Sequence, residues 1–172
     1  SDLSCVDAVP AYIDQKNIDL FAGMGIFTPA ELHSRHEIML EAYSKTISIE
    51  AQTMCYMVSR QIYPAVLQYT KMIFEALYAK KVCNMSLPLA KEEQRATHLN
   101  ALSEDLIVAL EALEKILVDA KTIAEPLALA RYCHDTMMPA MAELRKVADE
   151  LETMVADICW PFPTYTELMF NI

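Results

Sequence analysis

After Gly25 the sequence contains no glycine, and Gly23 is the only one before it. Glycine is the residue that enters left-handed turns without a steric penalty, so tight hairpins and glycine-rich phosphate loops are not expected over residues 26–172. What remains is helix punctuated by eight prolines. With 172 residues and an apolar fraction of 54%, the chain can bury a substantial core. An all-α fold is expected.

Composition also narrows the partners. The net charge of −10 repels a phosphate backbone, and no Lys/Arg stripe interleaved with aromatics counteracts it, so no nucleic-acid partner is expected. Charges interrupt every apolar run before it reaches the roughly 20 residues that span a bilayer, so no membrane insertion is expected either. Five widely spaced cysteines, Cys5, Cys55, Cys83, Cys133 and Cys159, form no CxxC pair. They are expected to be buried free thiols in a reducing, cytoplasmic setting. The first residue is Ser1 and no charged-then-apolar leader follows, which suggests a fragment rather than a secreted precursor.

Residues 1–27 read as a short irregular segment, with Pro10 and Gly23-Met24-Gly25 flanking a possible helix from Ala11 to Phe21. Thr28-Pro29-Ala30-Glu31 then has a capping threonine, a proline at the first helical position and a glutamate three residues after the cap. On the long helix that follows, Leu40, Tyr43, Ile47, Ala51, Met54, Val58 and Ile62 recur at steps of three and four. Val66, Tyr69, Ile73 and Leu77 continue the stripe past Pro64. That proline removes one backbone donor and crowds the carbonyl four residues back, so a kink near Arg60 is expected.

Asn84-Met85-Ser86-Leu87-Pro88 breaks the pattern. A second helix carries the seam Leu99, Leu102, Leu106, Ala109, Leu113, Ile116, Ala120 and Ile123, spaced like a coiled coil. After Glu125-Pro126 a third repeats it as Leu127, Ala130, His134, Met137, Met141, Leu144, Ala148, Leu151, Val155 and Ile158, with Pro139 inside. Three apolar-faced helices joined by short turns predict an antiparallel bundle, counted as four helices if Pro64 divides the first. Two domains are read: 1–27, and the bundle 28–172 with its Trp160-Pro161-Phe162-Pro163 tail, whose aromatics should lie against the protein. The first helix would run roughly 80 Å and the others about 50 Å. Thr28 to about Tyr43 is therefore expected to bury its apolar residues against something outside the bundle.

Each candidate for chemistry has a plainer reading beside it. His33 and His36, with Glu37, share a helix face, but the pattern is neither HExxH nor HxxEH and Arg35 opposes a cation. They read as a polar helix start at the surface. No histidine has a glutamate three residues before it, which excludes a ferritin-like di-iron motif. Cys133 and His134 are neighbours about 100° apart on a helix and cannot face each other as a nucleophile pair; His134 reads as a core histidine hydrogen-bonded to a facing side chain. The eleven methionines sit mostly at core spacing. Glu92/Glu93 and Asp149/Glu150 read as solvated acids. No catalytic, cofactor-binding or metal-ligating residue is assigned.

The run Leu20-Phe21-Ala22-Gly23-Met24-Gly25-Ile26-Phe27-Thr28-Pro29-Ala30-Glu31-Leu32-His33-Ser34-Arg35-His36-Glu37-Ile38 resembles the end of the catalytic domain and the start of the last helical region of type III glutamine synthetases. Leu40-Glu41-Ala42-Tyr43-Ser44-Lys45, Ile49-Glu50-Ala51 and Arg60-Gln61-Ile62-Tyr63-Pro64-Ala65 resemble that family's long helix. Ala148-Asp149-Glu150-Leu151-Glu152 and Trp160-Pro161-Phe162-Pro163-Thr164-Tyr165 resemble its closing segment. Residues 80–125 add little to the resemblance.

The resemblance implies a parent ligase of nitrogen metabolism that makes glutamine from glutamate, ammonia and ATP with Mg or Mn. It implies an assembly of two hexameric rings forming a dodecamer, in which this segment would meet the catalytic domain and other subunits. The family's ATP, glutamate and metal motifs match nothing in this chain, so an inactive structural and assembly domain is expected of the fragment. The alternative reading is a free-standing helical adaptor that binds a protein partner.

Overall fold

The computed structural model describes residues 4–84, 86–163 and 165–170, without the side chains of Cys5, Tyr165 and Thr166. Every regular element among them is helical. Helices α1 (Cys5–Ala8) and α2 (Gln15–Gly23) flank a 3-10 segment, Val9–Ile13. They are followed by α3 (Pro29–Met57), α4 (Tyr63–Cys83), α5 (Ala90–Ala120), α6 (Pro126–Tyr132), α7 (Met138–Met154) and α8 (Tyr165–Phe170). The N-terminal segment is thus more regular than expected. Its single stretch from Ala11 to Phe21 is instead split at Asp14, whose ψ of 139° is extended.

The capping box at α3 is formed. Glu31 Oε2 accepts from the Thr28 backbone N–H at 2.7 Å and from its hydroxyl at 2.9 Å, while the Glu31 N–H donates to Thr28 Oγ1 at 3.3 Å. Glu125 caps α6 in a related way, accepting from the N–H groups of Leu127 and Ala128.

The expected kink at Pro64 takes the form of a π turn over Val58–Ile62, with Arg60 at its centre and the Tyr63 N–H donating to the Val58 carbonyl. The second internal proline, Pro139, follows another π turn, Cys133–Met137. In both places the proline stands two residues beyond the widened turn. The ring that would clash with a carbonyl four residues back instead meets a turn with room for it.

The chain divides into two compact units: Ser1–Gln52 with Lys115–Pro139, and Thr53–Glu114 with Ala140–Ile172. In the first, Leu40 packs with Val6, Val9 and Ala130, and Tyr43 and Leu127 lie against them. Part of the cover for Thr28–Tyr43 thus comes from α1 and the 3-10 segment, which precede the expected bundle 28–172, and part from Leu127 and Ala130 of α6. Leu32 is fully buried and His36 nearly so. His36 is therefore no part of a polar surface, although His33, Ser34, Arg35 and Glu37 are exposed. Phe27 stacks near Phe21, centroids 5.9 Å apart, and under the Arg35 guanidinium at 4.4 Å.

In the second unit the α4–α5 turn packs Leu77, Leu89 and Ala96 together, with Ile73 against them. Across it Lys80 Nζ reaches both Glu92 oxygens at 2.8 Å and Lys81 pairs with Glu93. The α5 seam buries Leu99, Leu102, Leu106 and Leu113, but its middle position is Leu110, with Ala109 only half-buried. Leu144, Ala148, Leu151 and Val155 are buried as expected; Ile158 lies past the end of α7 and is 91% exposed. Arg95 donates to the Met154 carbonyl at 3.3 Å, and His98 Nε2 lies 3.3 Å from Glu150.

Candidate functional site

The residues considered from sequence for catalysis or metal binding are not brought together. His33 points to solvent while His36 is buried one turn on, its Nε2 without a hydrogen-bond partner among the described residues. Among the described residues no three His, Cys, Asp or Glu side chains come close enough together to hold a metal ion. No helix there is long and apolar enough to cross a membrane.

At the second π turn the structure bears out the expected burial of Cys133 but not that of His134. Cys133 is fully buried, whereas His134 is partly exposed and its Nδ1 lies 2.7 Å from Asp135 Oδ1. The facing hydrogen bond expected of a core histidine is thus replaced by a pairing with its chain neighbour. Burial pushes the Cys133 thiol pKa up, against the Ser48 and Ser44 hydroxyls, which pull it down. A thiol held this way is a packing group and a poor nucleophile at neutral pH. Cys55 is buried and raised likewise, with the Glu114 charge adding to the effect. Cys83, by contrast, is exposed and Cys159 half-buried, so only part of the expected set of buried thiols is realised.

Two concavities have chemically distinct linings. In the first unit a hollow of about 680 Å³ lies between Val9, Ile47, Glu50 and His134, beside the Tyr43 hydroxyl, which donates to Met138 Sδ at 3.5 Å. In the second unit a narrower cleft of about 290 Å³ is walled by Met57, Val58 and Ile62, by Leu144 and Ala148 of α7, and by Trp160 and Phe162. Trp160 and Phe162 meet edge to face with centroids 6.2 Å apart. The tail aromatics thus lie against the protein, as their composition implied. Arg145, Asp149 and Glu152 stand at this cleft and are exposed. The cleft could not be found from sequence, because it needs the π turn, α7 and the tail in one place.

Among the described residues, then, the regular structure is all helical, Cys55 and Cys133 are buried thiols, and two largely apolar concavities are present. Residues 2–81 match the family model of the glutamine synthetase C-terminal domain, and over that span the chain is similar to that family. It is 34% identical over 172 aligned residues to a glutamine synthetase of Butyrivibrio fibrisolvens, covering 96% of this chain and 24% of that protein. It is 32% identical over 177 residues to the type-3 glutamine synthetase of Dictyostelium discoideum, covering 97% of this chain and 23% of that one. A glutamine synthetase of Bacteroides fragilis is 26% identical over 176 residues. The chain therefore spans about a quarter of the length of the curated relatives it matches. The resemblance to type III enzymes read from residues 20–65 and 148–165 is thereby supported.

Proposed function

We propose that this chain is the C-terminal helical region of a type III glutamine synthetase and acts as a structural and assembly domain, while the parent ligates ammonia to glutamate at the expense of ATP. The observation that carries this reading is the extent of the similarity, which takes in 96% of the chain but only 24% of the relative. In this reading the Mg- or Mn-dependent chemistry belongs to the rest of a cytoplasmic enzyme. Residues 1–27 are the end of the catalytic region, and 28–172 form an antiparallel bundle. The local pairings support such a run of helices: as the α5 residue rises from Arg95 to His98, its α7-side partner falls from Met154 to Glu150. The partners are the catalytic domain and other subunits of a homo-oligomer.

The test is deletion of Leu87 to Ile172 from the full-length protein, read by sedimentation and by glutamine formation. The expected result is an altered oligomer distribution or stability, with glutamate and ATP affinity preserved in whatever enzyme remains assembled. A truncated enzyme that keeps its assembly and stability but binds glutamate or ATP poorly would show that the region serves the active site. Glutamine synthesis by residues 1–172 alone would overturn the non-catalytic assignment.

A further inference from the structure

The indole of Trp160 forms part of the wall of the second-unit cleft, and its Nε1–H is buried without an acceptor among the described residues. Buried donors in native proteins are almost always paired, because desolvating one without a partner is costly. Around the indole the wall is apolar, with Met57, Val58, Ile62, Leu144, Ala148 and Phe162, and the carboxylates that also line the cleft, Asp149 and Glu152, do not accept from the indole. At about 290 Å³ the space is far larger than one water needs and approaches the lower limit of small-molecule pockets. One wall is a π turn, a feature frequent at functional sites.

We propose that this cleft is a binding site for a compact, neutral, mainly apolar molecule that carries one hydrogen-bond acceptor for Trp160 Nε1–H. The charges at the mouth select against an anion. Asp149 and Glu152 are exposed there, and the one cation, Arg145, already lies 3.5 Å from Asp149. The apolar wall supplies contact area and the indole supplies orientation, the usual division of labour in a small-molecule site.

Trp160 is the one tryptophan in the sequence, so an isotope-labelled sample of the 172-residue chain gives a single indole N–H signal by NMR. Titration with acetophenone, an aryl ketone with one acceptor oxygen, should move that signal saturably, with the proton shifting downfield. Cumene has nearly the same shape and no acceptor, and should bind about tenfold more weakly, the equivalent of one net hydrogen bond. Ala148→Phe, which fills the cleft, should abolish the response; Met57→Phe fills it from α3 and serves if the first variant fails to fold. No saturable movement with acetophenone would overturn the proposal. So would equal affinity for cumene, which would leave a generic apolar surface, or an undiminished response in a folded, filled variant.

Discussion

Ile26 donates its backbone N–H to the carbonyl of Phe21 at 3.0 Å, and between them Gly25 holds φ at +68° while its own N–H bonds Ala22. This is a Schellman closure of α2, which satisfies carbonyls the helix end leaves free. Gly25→Ala should destabilise the protein by about 1–2 kcal/mol, because a Cβ is strained in the left-handed region. Gly23→Ala should instead stabilise it by about 0.5–1 kcal/mol, since Gly23 ends α2 at ordinary φ with nothing within 4 Å of an added Cβ. Urea midpoints of the two variants should move in opposite directions; movement in the same direction would refute the turn assignment.

The Thr28 backbone and hydroxyl hydrogen bonds hold the Glu31 carboxyl below its ordinary pKa, with the Arg35 charge adding slightly. A carboxylate whose folded pKa is depressed contributes stability above its unfolded pKa, and the contribution is lost as pH falls through the folded value. The stability difference between the wild type and Glu31→Gln should therefore be full at neutral pH and shrink below the ordinary carboxylate range. A difference that is unchanged or larger in acid would rule out an ionised Glu31 as the stabilising form.

Leu106 and Leu144 are both fully buried in the second unit. Truncating either to alanine should destabilise by about 2–5 kcal/mol. Val108, on α5 but 65% exposed, is the control, and Val108→Ala should stay within about 0.5 kcal/mol. Denaturation curves with equal midpoints for all three variants would contradict the observed core.

Thiol chemistry offers an independent check of burial. Under native conditions a disulfide-exchange reagent should modify exposed Cys83 rapidly, while Cys55 and Cys133, buried and with raised pKa values, should react only on unfolding. Peptide mapping of the labelled sites by mass spectrometry reads each cysteine separately. Rapid native labelling of Cys133 would mean that the second π turn opens far more readily than its packing indicates.

Much of this was legible in the residues where the signal is local. The Thr28–Glu31 box needs four consecutive residues, and Leu99, Leu106 and Leu113 announce themselves by spacing alone. The structure departs from the sequence pattern where register depends on partners. Leu110 replaces Ala109 in the α5 seam, a choice between adjacent positions that only the neighbouring helices decide. His36 looked polar by type, yet it falls on the line of Leu32 and Leu40, and α3 buries that line. Cys133 rather than His134 carries the seam from Ala130 to Met137, and steps of three and four fit either neighbour. The tail cleft joins residues distant in sequence, and no periodicity encodes it.

The π turn at Val58–Ile62 acts on the angular bookkeeping of the helix around it. At about 100° per residue in an unbroken α-helix, Leu77 would emerge roughly a quarter-turn away from Val58. The turn absorbs one residue's rotation, and Val58, Val66 and Leu77 are all buried. Pro64 keeps that residue from being absorbed elsewhere, because the ring tolerates little but a widened turn behind it. The helix is thus an α-helix with one residue inserted and locked in place. Deleting Ser59 alone would leave the phase of α4 unchanged, since about 18 steps of roughly 100° make five whole turns, but it would return the Pro64 ring to a regular α turn and to the clash the widened turn relieves.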